Sequence, residues 1–281
     1  MEITVTNHIG ESLYLDNMKY SVIAVDGLTP PTATINTSTV ATTDGSYYNS
    51  SRINQRNIVL TIVPQQVDVE KARLKLYKYF KPKRKITLEF KTKARHVRIN
   101  GYVETVEGDL YSEKQSFQIS VICPRTFFED VKQLTYDQST ILGGFEFPFS
   151  TSQEGIELST LGDLKDVNVV NIGEESTGLT IELFATGTVL EPTIYNRTTR
   201  QKMTIQTQMN SGDIVKIDTR QGQKRIALIS KGIQTNIINN IVKGSNWISL
   251  EIGENIFSYS SAYGYENLTV SYSFNPLYEG V

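Results

Sequence analysis

The alternation of apolar and polar residues between positions 178 and 260 predicts a series of short antiparallel strands. Apolar side chains occupy every second position in several runs, as in a strand that packs one face on a core and exposes the other. Turn-forming residues such as Ser211-Gly212-Asp213 separate the runs, and their even spacing is typical of an antiparallel β-sandwich. The runs lie at 179–185, 203–209, 215–219, 227–229 and 248–252.

The first half of the chain shows a different pattern, in which one helix interrupts the strands. Alternating runs are predicted near residues 3–5, 13–15, 20–24 and 58–62, and again at 86–90, 97–102 and 117–121. Between the two groups, Asp68 is a suitable N-cap, Ala72 and Leu76 share one helix face, and Pro82 prevents continuation. The protein is therefore predicted to be mainly β, with an α+β N-terminal domain that has one helix on a small sheet.

A long polar segment separates the early strands from the helix. It covers about residues 30–54 and is rich in Thr, Ser and Asn. Pro30 and Pro31 exclude a central strand at that point, and Asp44-Gly45 marks a turn. Two interpretations stay open: a flexible loop, or an arm that becomes ordered by lying on another subunit.

Length and cysteine content limit the possible architectures. A chain of 281 residues favours two domains, which we place at 1–135 and 136–281. Cys123 is the only cysteine, which excludes an internal disulfide and a cysteine-based metal cluster. No apolar stretch reaches the roughly 18 residues that suggest a membrane span, and the start Met1-Glu2-Ile3 lacks the features of a secretory signal. We expect a globular protein that folds in a reducing cytoplasm and is not inserted in a membrane.

Basic residues are concentrated between positions 75 and 98. Ten Lys and Arg side chains lie there with Glu89 as the only acidic residue. One interpretation is the solvated face of a helix and the following hairpin, and another is a surface for an acidic protein partner or for phosphate backbones. The nearby aromatic residues fit a helix on a sheet better than a platform for bases, so we expect no sequence-specific nucleic-acid recognition.

Residues that carry catalytic chemistry are scarce. The two histidines, His8 and His96, have no recognisable spacing, which argues against a metal site or a Ser-His-Asp triad. The adjacent pair Glu174-Glu175 cannot flank one glycosidic bond. We therefore expect no enzyme, no metal ion and no cofactor.

Aromatic residues near the end of the chain suggest an alternative function. β-Sandwiches often bind sugars through exposed aromatic faces, and Tyr259, Tyr263 and Tyr265 are candidates for saccharide contacts. Trp247 is either a further contact of this kind or a core residue at the entrance of a strand. The alternative function is thus a β-sandwich protein that attaches to cell-wall saccharide of a host.

Short motifs follow one another in a characteristic order along nearly the whole chain. Each combines a turn with a strand, and Cys123-Pro124 with Phe127-Phe128 marks the junction between the halves. The other motifs are Gly27-Leu28 with Pro30-Pro31, Asp44-Gly45, the run at 52–60, Ile194-Tyr195-Asn196 with Thr198-Thr199, Gly212-Asp213, Trp247-Ile248-Ser249-Leu250 and Gly253-Glu254-Asn255.

In this order the motifs resemble those of distal tail proteins from long-tailed siphophages and prophages of Gram-positive bacteria. The resemblance implies a hexameric hub that joins the tail tube protein to the tail-associated lysin or fibre protein, near the tape-measure protein. It implies that the N-terminal domains form the ring, and that C-terminal galectin-like sandwiches dock receptor-binding proteins. Such a protein belongs to the virion and assembles in the cytoplasm of the host bacterium.

The resemblance also implies where subunits of the ring meet. In the family, an arm of the N-terminal domain wraps around the neighbouring subunit, and here that arm corresponds to residues 30–54. A heterologous ring closes when each subunit offers one patch to a complementary patch on the next. The expected ring-interface residues of the arm are Pro30, Pro31, Asp44, Gly45, Arg52 and Arg56.

Overall fold

The computed structural model describes residues 1–16, 18–42, 44–65, 68–112, 115–139, 141–143, 159–161 and 166–281. The protein is mainly β, as predicted. The elements of the first part are β1 (Glu2–Thr6), β2 (Ser12–Leu15), β3 (Tyr20–Asp26), β4 (Ala33–Ser38), β5 (Tyr47–Ile53), β6 (Arg56–Pro64), α1 (Val69–Tyr79), β7 (Lys85–Lys91), β8 (His96–Gly108), β9 (Phe117–Cys123) and β10 (Phe128–Asp130).

Short strands make up the rest of the described chain, together with 3-10 turns at Ile238–Asn240 and Tyr265–Asn267. These strands are β11 (Leu134–Ser139), β12 (Ile141–Gly143), β13 (Ser159–Leu161), β14 (Val167–Asn171), β15 (Thr177–Gly178), β16 (Thr180–Ala185), β17 (Val189–Leu190), β18 (Thr193–Asn196), β19 (Gln201–Thr204), β20 (Gln208–Met209), β21 (Ile214–Asp218), β22 (Arg225–Ser230), β23 (Ile233–Asn236), β24 (Ser249–Leu250), β25 (Gly253–Ser260), β26 (Leu268–Phe274) and β27 (Leu277–Tyr278).

The chain forms two compact units. Unit 1 consists of Met1–Lys132 together with Leu277–Val281, and unit 2 consists of Gln133–Pro276. The alternation pattern did not indicate that residues 277–281 join unit 1. The two domains at 1–135 and 136–281 stay a prediction.

Unit 1 is built on a nine-stranded antiparallel sheet, which is larger than the small sheet expected from the sequence. Seven strands follow the order β2-β1-β7-β8-β9-β6-β3, while β10 pairs with β8 and β27 pairs with β10. Alternate side chains of β6 are buried and include Ile58, Leu60 and Ile62. This period-two burial is the physical basis of the alternation in the sequence.

Helix α1 covers one part of this core, and its bounds confirm the sequence prediction. Asp68 is the N-cap and accepts a hydrogen bond from the Lys71 amide nitrogen at 3.0 Å. The buried side chains Ala72, Leu76 and Tyr79 lie on the face that packs into the unit. Among the described residues, no helix is both long and apolar enough to cross a bilayer.

Unit 2 is an antiparallel sandwich, as the alternation predicts. One sheet has the order β11-β26-β16-β21-β22-β23 and the other has the order β14-β25-β18-β19. The buried rings of Phe257 from β25 and Tyr272 from β26 lie with their centroids 4.6 Å apart. This contact joins the two sheets through their inner faces. The run predicted at 203–209 is divided between β19 and β20, which pair with different strands.

Two buried asparagines hold the turns at one end of the sandwich. Asn196 is fully buried, and its amide nitrogen donates to the Ser249 carbonyl at 2.9 Å and to Asn255 Oδ1 at 3.1 Å. Asn255 in turn donates to the carbonyls of Glu251 and Gly253. Each side chain thus supplies partners to main-chain groups that the turns leave unpaired.

Replacement of Asn196 by Ala tests this network. The change leaves several buried polar groups without partners, so we expect the free energy of unfolding to fall by about 2–4 kcal/mol. The single tryptophan, Trp247, packs against the core of unit 2, so its fluorescence during denaturant unfolding reports on this unit. The exposed Asn239→Ala is the matched control, with an expected change below about 0.5 kcal/mol. Equal midpoints for the two variants would contradict the assignment.

Candidate functional site

The segment at residues 30–54, called the arm below, forms a β-hairpin. Strand β4 pairs with β5 in an isolated two-stranded sheet, with a β-bulge between Asn36 and Thr37. All residues of β5 are exposed, as are all but one of β4. An isolated hairpin is only marginally stable in water, because it lacks a second layer to bury its side chains. Thr43, near the tip, lies outside the described residues.

One face of the arm, called its apolar face below, carries exposed apolar and aromatic side chains together with Thr37 and Ser51. Ala33 lies opposite Ile53, and Ile35 follows two residues later on the same face. Ile35 is 62% exposed and Tyr48, opposite Thr37, is 65% exposed. The other face carries Thr34, Asn36 and their partners across the hairpin. The hairpin therefore exposes apolar side chains that nothing in the described part of the chain covers.

The predicted arm residues lie at three places in the structure. Asp44 and Gly45 are exposed at the tip, where Gly45 has a positive φ of 91°. Pro30 and Pro31 precede β4, and Arg52 is exposed on β5. These five residues belong to the arm, and their role at an interface stays a prediction.

Arg56 is placed differently, because its side chain is used inside unit 1. It is 4% exposed and begins β6. Its guanidinium donates to the carbonyls of Gly27, of Thr29 at 2.7 Å and of Thr126 at 2.7 Å, and lies 4.5 Å from the centre of the Phe128 ring. We therefore exclude Arg56 from the contact surface of the arm and assign it to the arm's base.

The base of the arm begins at a turn that only glycine fits. Gly27 has a φ of +85°, and a Cβ there would lie 2.1 Å from the carbonyl oxygen of Asn57. On the other leg, Thr126 Oγ1 donates to the Asn54 carbonyl at 2.8 Å. Both legs of the hairpin are thus attached to the body of unit 1 by close contacts.

A shallow groove lies beside the base of the arm. Its volume is about 350 Å³, and its walls are Met1, Ile3 and Leu15 on one side with residues 22–25 and Leu28 on the other. All of these side chains are hydrocarbon or thioether groups, which can cover apolar surface but cannot transfer protons.

The basic run contains residues that form ion pairs and a stretch that is exposed throughout. Lys78 pairs with Glu11 at 2.7 Å and Arg98 pairs with Glu129 at 3.1 Å, whereas Lys-Pro-Lys-Arg-Lys at 81–85 is exposed throughout. This stretch leads from the end of α1 to Lys85, the first residue of β7. The basic run therefore extends from a helix into the hairpin that follows it, as the sequence suggests. The exposed cations at 81–85 form a compact positive patch.

The tyrosines predicted to contact saccharide do not share one surface. Tyr259 is 2% exposed, and its hydroxyl donates to the Leu268 carbonyl at 2.8 Å, so it is a core residue. Tyr263 and Tyr265 are 62% and 41% exposed, and saccharide binding by these two stays a prediction. Trp247 packs against the core, and Lys224 Nζ lies 5.2 Å from its ring centre. The core interpretation therefore applies to Trp247.

Side chains with catalytic chemistry are occupied or dispersed. His96 Nε2 lies 2.5 Å from Glu89 Oε1, and His8 is in the exposed turn before β2. Burial raises the pKa of the Cys123 thiol to about 12, so the thiol stays protonated at neutral pH. Within the part of the chain that the structure describes, no group of three or more His, Cys, Asp or Glu side chains is placed to hold a metal ion.

Comparison with protein families matches both halves of the chain. Residues 10–123 match the phage tail protein RIFT-related domain, and residues 172–275 match the siphovirus-type tail component, C-terminal domain. The two matches correspond to the large sheet of unit 1 and the sandwich of unit 2, in the order expected of one tail protein. The chain belongs to the siphophage distal tail proteins. A comparison with curated protein sequences finds no match.

Solved structures share the fold of this distal tail protein over its full length. SPP1 Dit, described as a paradigm of hub adsorption apparatus in phages that infect Gram-positive bacteria, is 14% identical with a TM-score of 0.69, covering 97% of this chain and 98% of that one. A chain of the activated phage P2 baseplate with Ca is 11% identical with a TM-score of 0.58, covering 100% and 99%. The same baseplate with Sr gives 10% identity and a TM-score of 0.56. The protein is thus a structural component of a phage tail or baseplate.

Replacement of Tyr259 by Phe tests its assignment to the core. The change removes the donor to the Leu268 carbonyl, so we expect the free energy of unfolding of unit 2 to fall by about 1–2 kcal/mol. Tyr263→Phe makes the same chemical change at an exposed position and should leave stability unchanged. Trp247 fluorescence during denaturant unfolding measures both variants. A Tyr259→Phe protein as stable as the parent would contradict the assignment.

Proposed function

We propose that this distal tail protein forms a ring of six copies at the tip of the tail tube. The observation that carries the proposal is the arm, whose apolar face is exposed in the single chain. A hairpin of this kind gains stability when its apolar face is covered, and another copy of the chain supplies a surface at every interface of a ring. Unit 1 then forms the ring, and each arm lies on the neighbouring copy.

In the proposed hub, the ring joins the tail tube protein to the tail-associated lysin or fibre protein, with the tape-measure protein nearby. Unit 2, as a galectin-like sandwich, provides docking surfaces for receptor-binding proteins outside the ring. The positive patch at 81–85 faces the tube protein, since a basic lining of the channel would retain passing DNA. Assembly takes place in the cytoplasm of the host bacterium. The family relationship and the hub description of SPP1 Dit support this assignment.

Substitutions on the apolar face of the arm test the ring. Assembly of six copies gives a mass of about 190 kDa, six times 31.6 kDa, measured by native mass spectrometry alone and with the tube protein as template. Ile35→Asp combined with Tyr48→Asp should lower the yield of rings at least about tenfold, because burying a charge in an apolar contact costs more than about 1.4 kcal/mol.

The control for the arm is Ile233→Asp, which places the same charge at an isoleucine of unit 2 that is 71% exposed. This variant should assemble like the parent. Rings that form equally well from the arm variant would contradict the role of the arm. A parent protein that stays monomeric with the tube protein present would contradict the hexamer.

Charge reversal at the positive patch tests the contact with the tube. Lys81, Arg84 and Lys85 changed to Glu should weaken binding to the tail tube protein, most strongly at low ionic strength, while the variant still folds. Binding is measured by co-sedimentation over a range of salt concentrations. The control reverses three exposed cations elsewhere, Lys202, Lys231 and Lys243. Equal binding by both triple variants would refute a tube-facing patch.

A further inference from the structure

Residues 277–281, called the returning segment below, follow unit 2 in the chain and pack into unit 1. Strand β27 pairs with β10, so that Tyr278 lies opposite Phe128. The Arg95 guanidinium lies 4.5 Å from the centre of the Tyr278 ring and donates to the Gly280 carbonyl at 2.5 Å. The Tyr278 hydroxyl donates to Asp130 at 3.3 Å. These contacts hold the returning segment along its whole length.

Beyond β27, the returning segment reaches the base of the arm. The Val281 amide donates to the Leu28 carbonyl at 3.1 Å, and Val281 packs against the apolar core of unit 1. Gly280 is buried, and a Cβ there would lie 3.1 Å from the Leu28 carbonyl oxygen and 3.4 Å from Pro30 Cδ. The segment is therefore in close contact with the residues that lead into β4.

Arg56 joins the returning segment to both legs of the arm. Besides its bonds to Gly27 and Thr29 on the first leg, the guanidinium donates to the Glu279 carbonyl at 2.5 Å. The guanidinium also donates to the Thr126 carbonyl. The Thr126 hydroxyl in turn donates to the Asn54 carbonyl on the second leg. Burial lowers the pKa of Arg56, because a buried cation is costly unless acceptors surround it. Four carbonyl groups supply those acceptors.

We propose that the returning segment and Arg56 are the positioning element of the arm. Among the strands that the structure describes, those of the hairpin pair only with each other, so the direction in which the hairpin projects is determined where it leaves the body of unit 1. Without residues 277–281, Leu28 loses its hydrogen-bond donor and one donor of Arg56 loses its acceptor. The legs then lose their common anchor, and the arm samples several directions. The inference rests on the proposed function in one respect only: a fixed direction allows the arm to meet the neighbouring copy.

Distances between spin labels test the positioning directly. Labels at Ser46→Cys near the arm tip and Lys75→Cys on α1 report the arm's direction in the full-length chain, because the buried Cys123 is not available for labelling. In the parent we expect a narrow distance distribution by pulsed electron resonance. Arg56→Met and Gly280→Val should each broaden the distribution by about twofold or more, as expected for a locally released segment. Trp247 fluorescence should show unit 2 unchanged.

Two further variants make the test decisive. Arg225→Met makes the same change at an exposed arginine of unit 2 and should leave the distribution narrow. Gly280→Ala adds only one methyl group, so it replaces Gly280→Val in the test if that variant does not fold. It should broaden the distance distribution to a smaller extent. A distribution as narrow in folded Arg56→Met and Gly280→Ala as in the parent overturns the proposal.

The result for the positioning of the arm can be distinguished from the result for ring formation. Ring yield of the same variants, measured by native mass spectrometry, is expected to fall as the distribution broadens. Broadening in a protein whose parent never forms rings supports the positioning element while it contradicts the hexamer. If variants with a broad distance distribution form rings at full yield, a fixed arm direction is not needed for ring formation.

Discussion

Both units depend on covering the apolar face of their strands. A strand with apolar side chains at alternate positions loses stability unless that face leaves water. In unit 1, the sheet and α1 enclose residues such as Leu60 and Leu88, and in unit 2 the two sheets enclose Val270 and its neighbours. The arm leaves apolar side chains in water, since Ile35 and Tyr48 remain exposed. In the proposed ring, a neighbouring copy covers these two side chains.

Local signals were sufficient for most of the architecture. The sandwich followed from alternation, as at Ile181 and Leu183, whose side chains both point into the core. The helix followed from an N-cap at Asp68, an apolar face and a proline after its end. Motif order identified the family, and two motif asparagines, Asn196 and Asn255, proved to be buried partners that hold turns. Short-range chemistry determines these features, so one sequence reveals them.

Other features depend on contacts between distant residues. Strands β4 and β5 escaped prediction because Thr, Ser and Asn occupy about half of their positions and a bulge interrupts the period. Arg56 resembled an exposed arm residue, since its acceptors are main-chain carbonyls that carry no signature in the sequence. Tyr259 resembled a surface aromatic for the same reason, because its partner is the Leu268 carbonyl. Every residue has a main-chain carbonyl, so the sequence does not show which carbonyl a given side chain will use.

The return of residues 277–281 to unit 1 has a consequence for biosynthesis. Unit 2, Gln133–Pro276, is translated in full before these residues leave the ribosome. A nascent chain therefore cannot complete the sheet of unit 1, because β27 is absent while β10 is already present. The sheet of unit 1 is therefore complete only after unit 2 has been synthesised. A chain that stops before residue 277 thus lacks β27 in the sheet of its first unit.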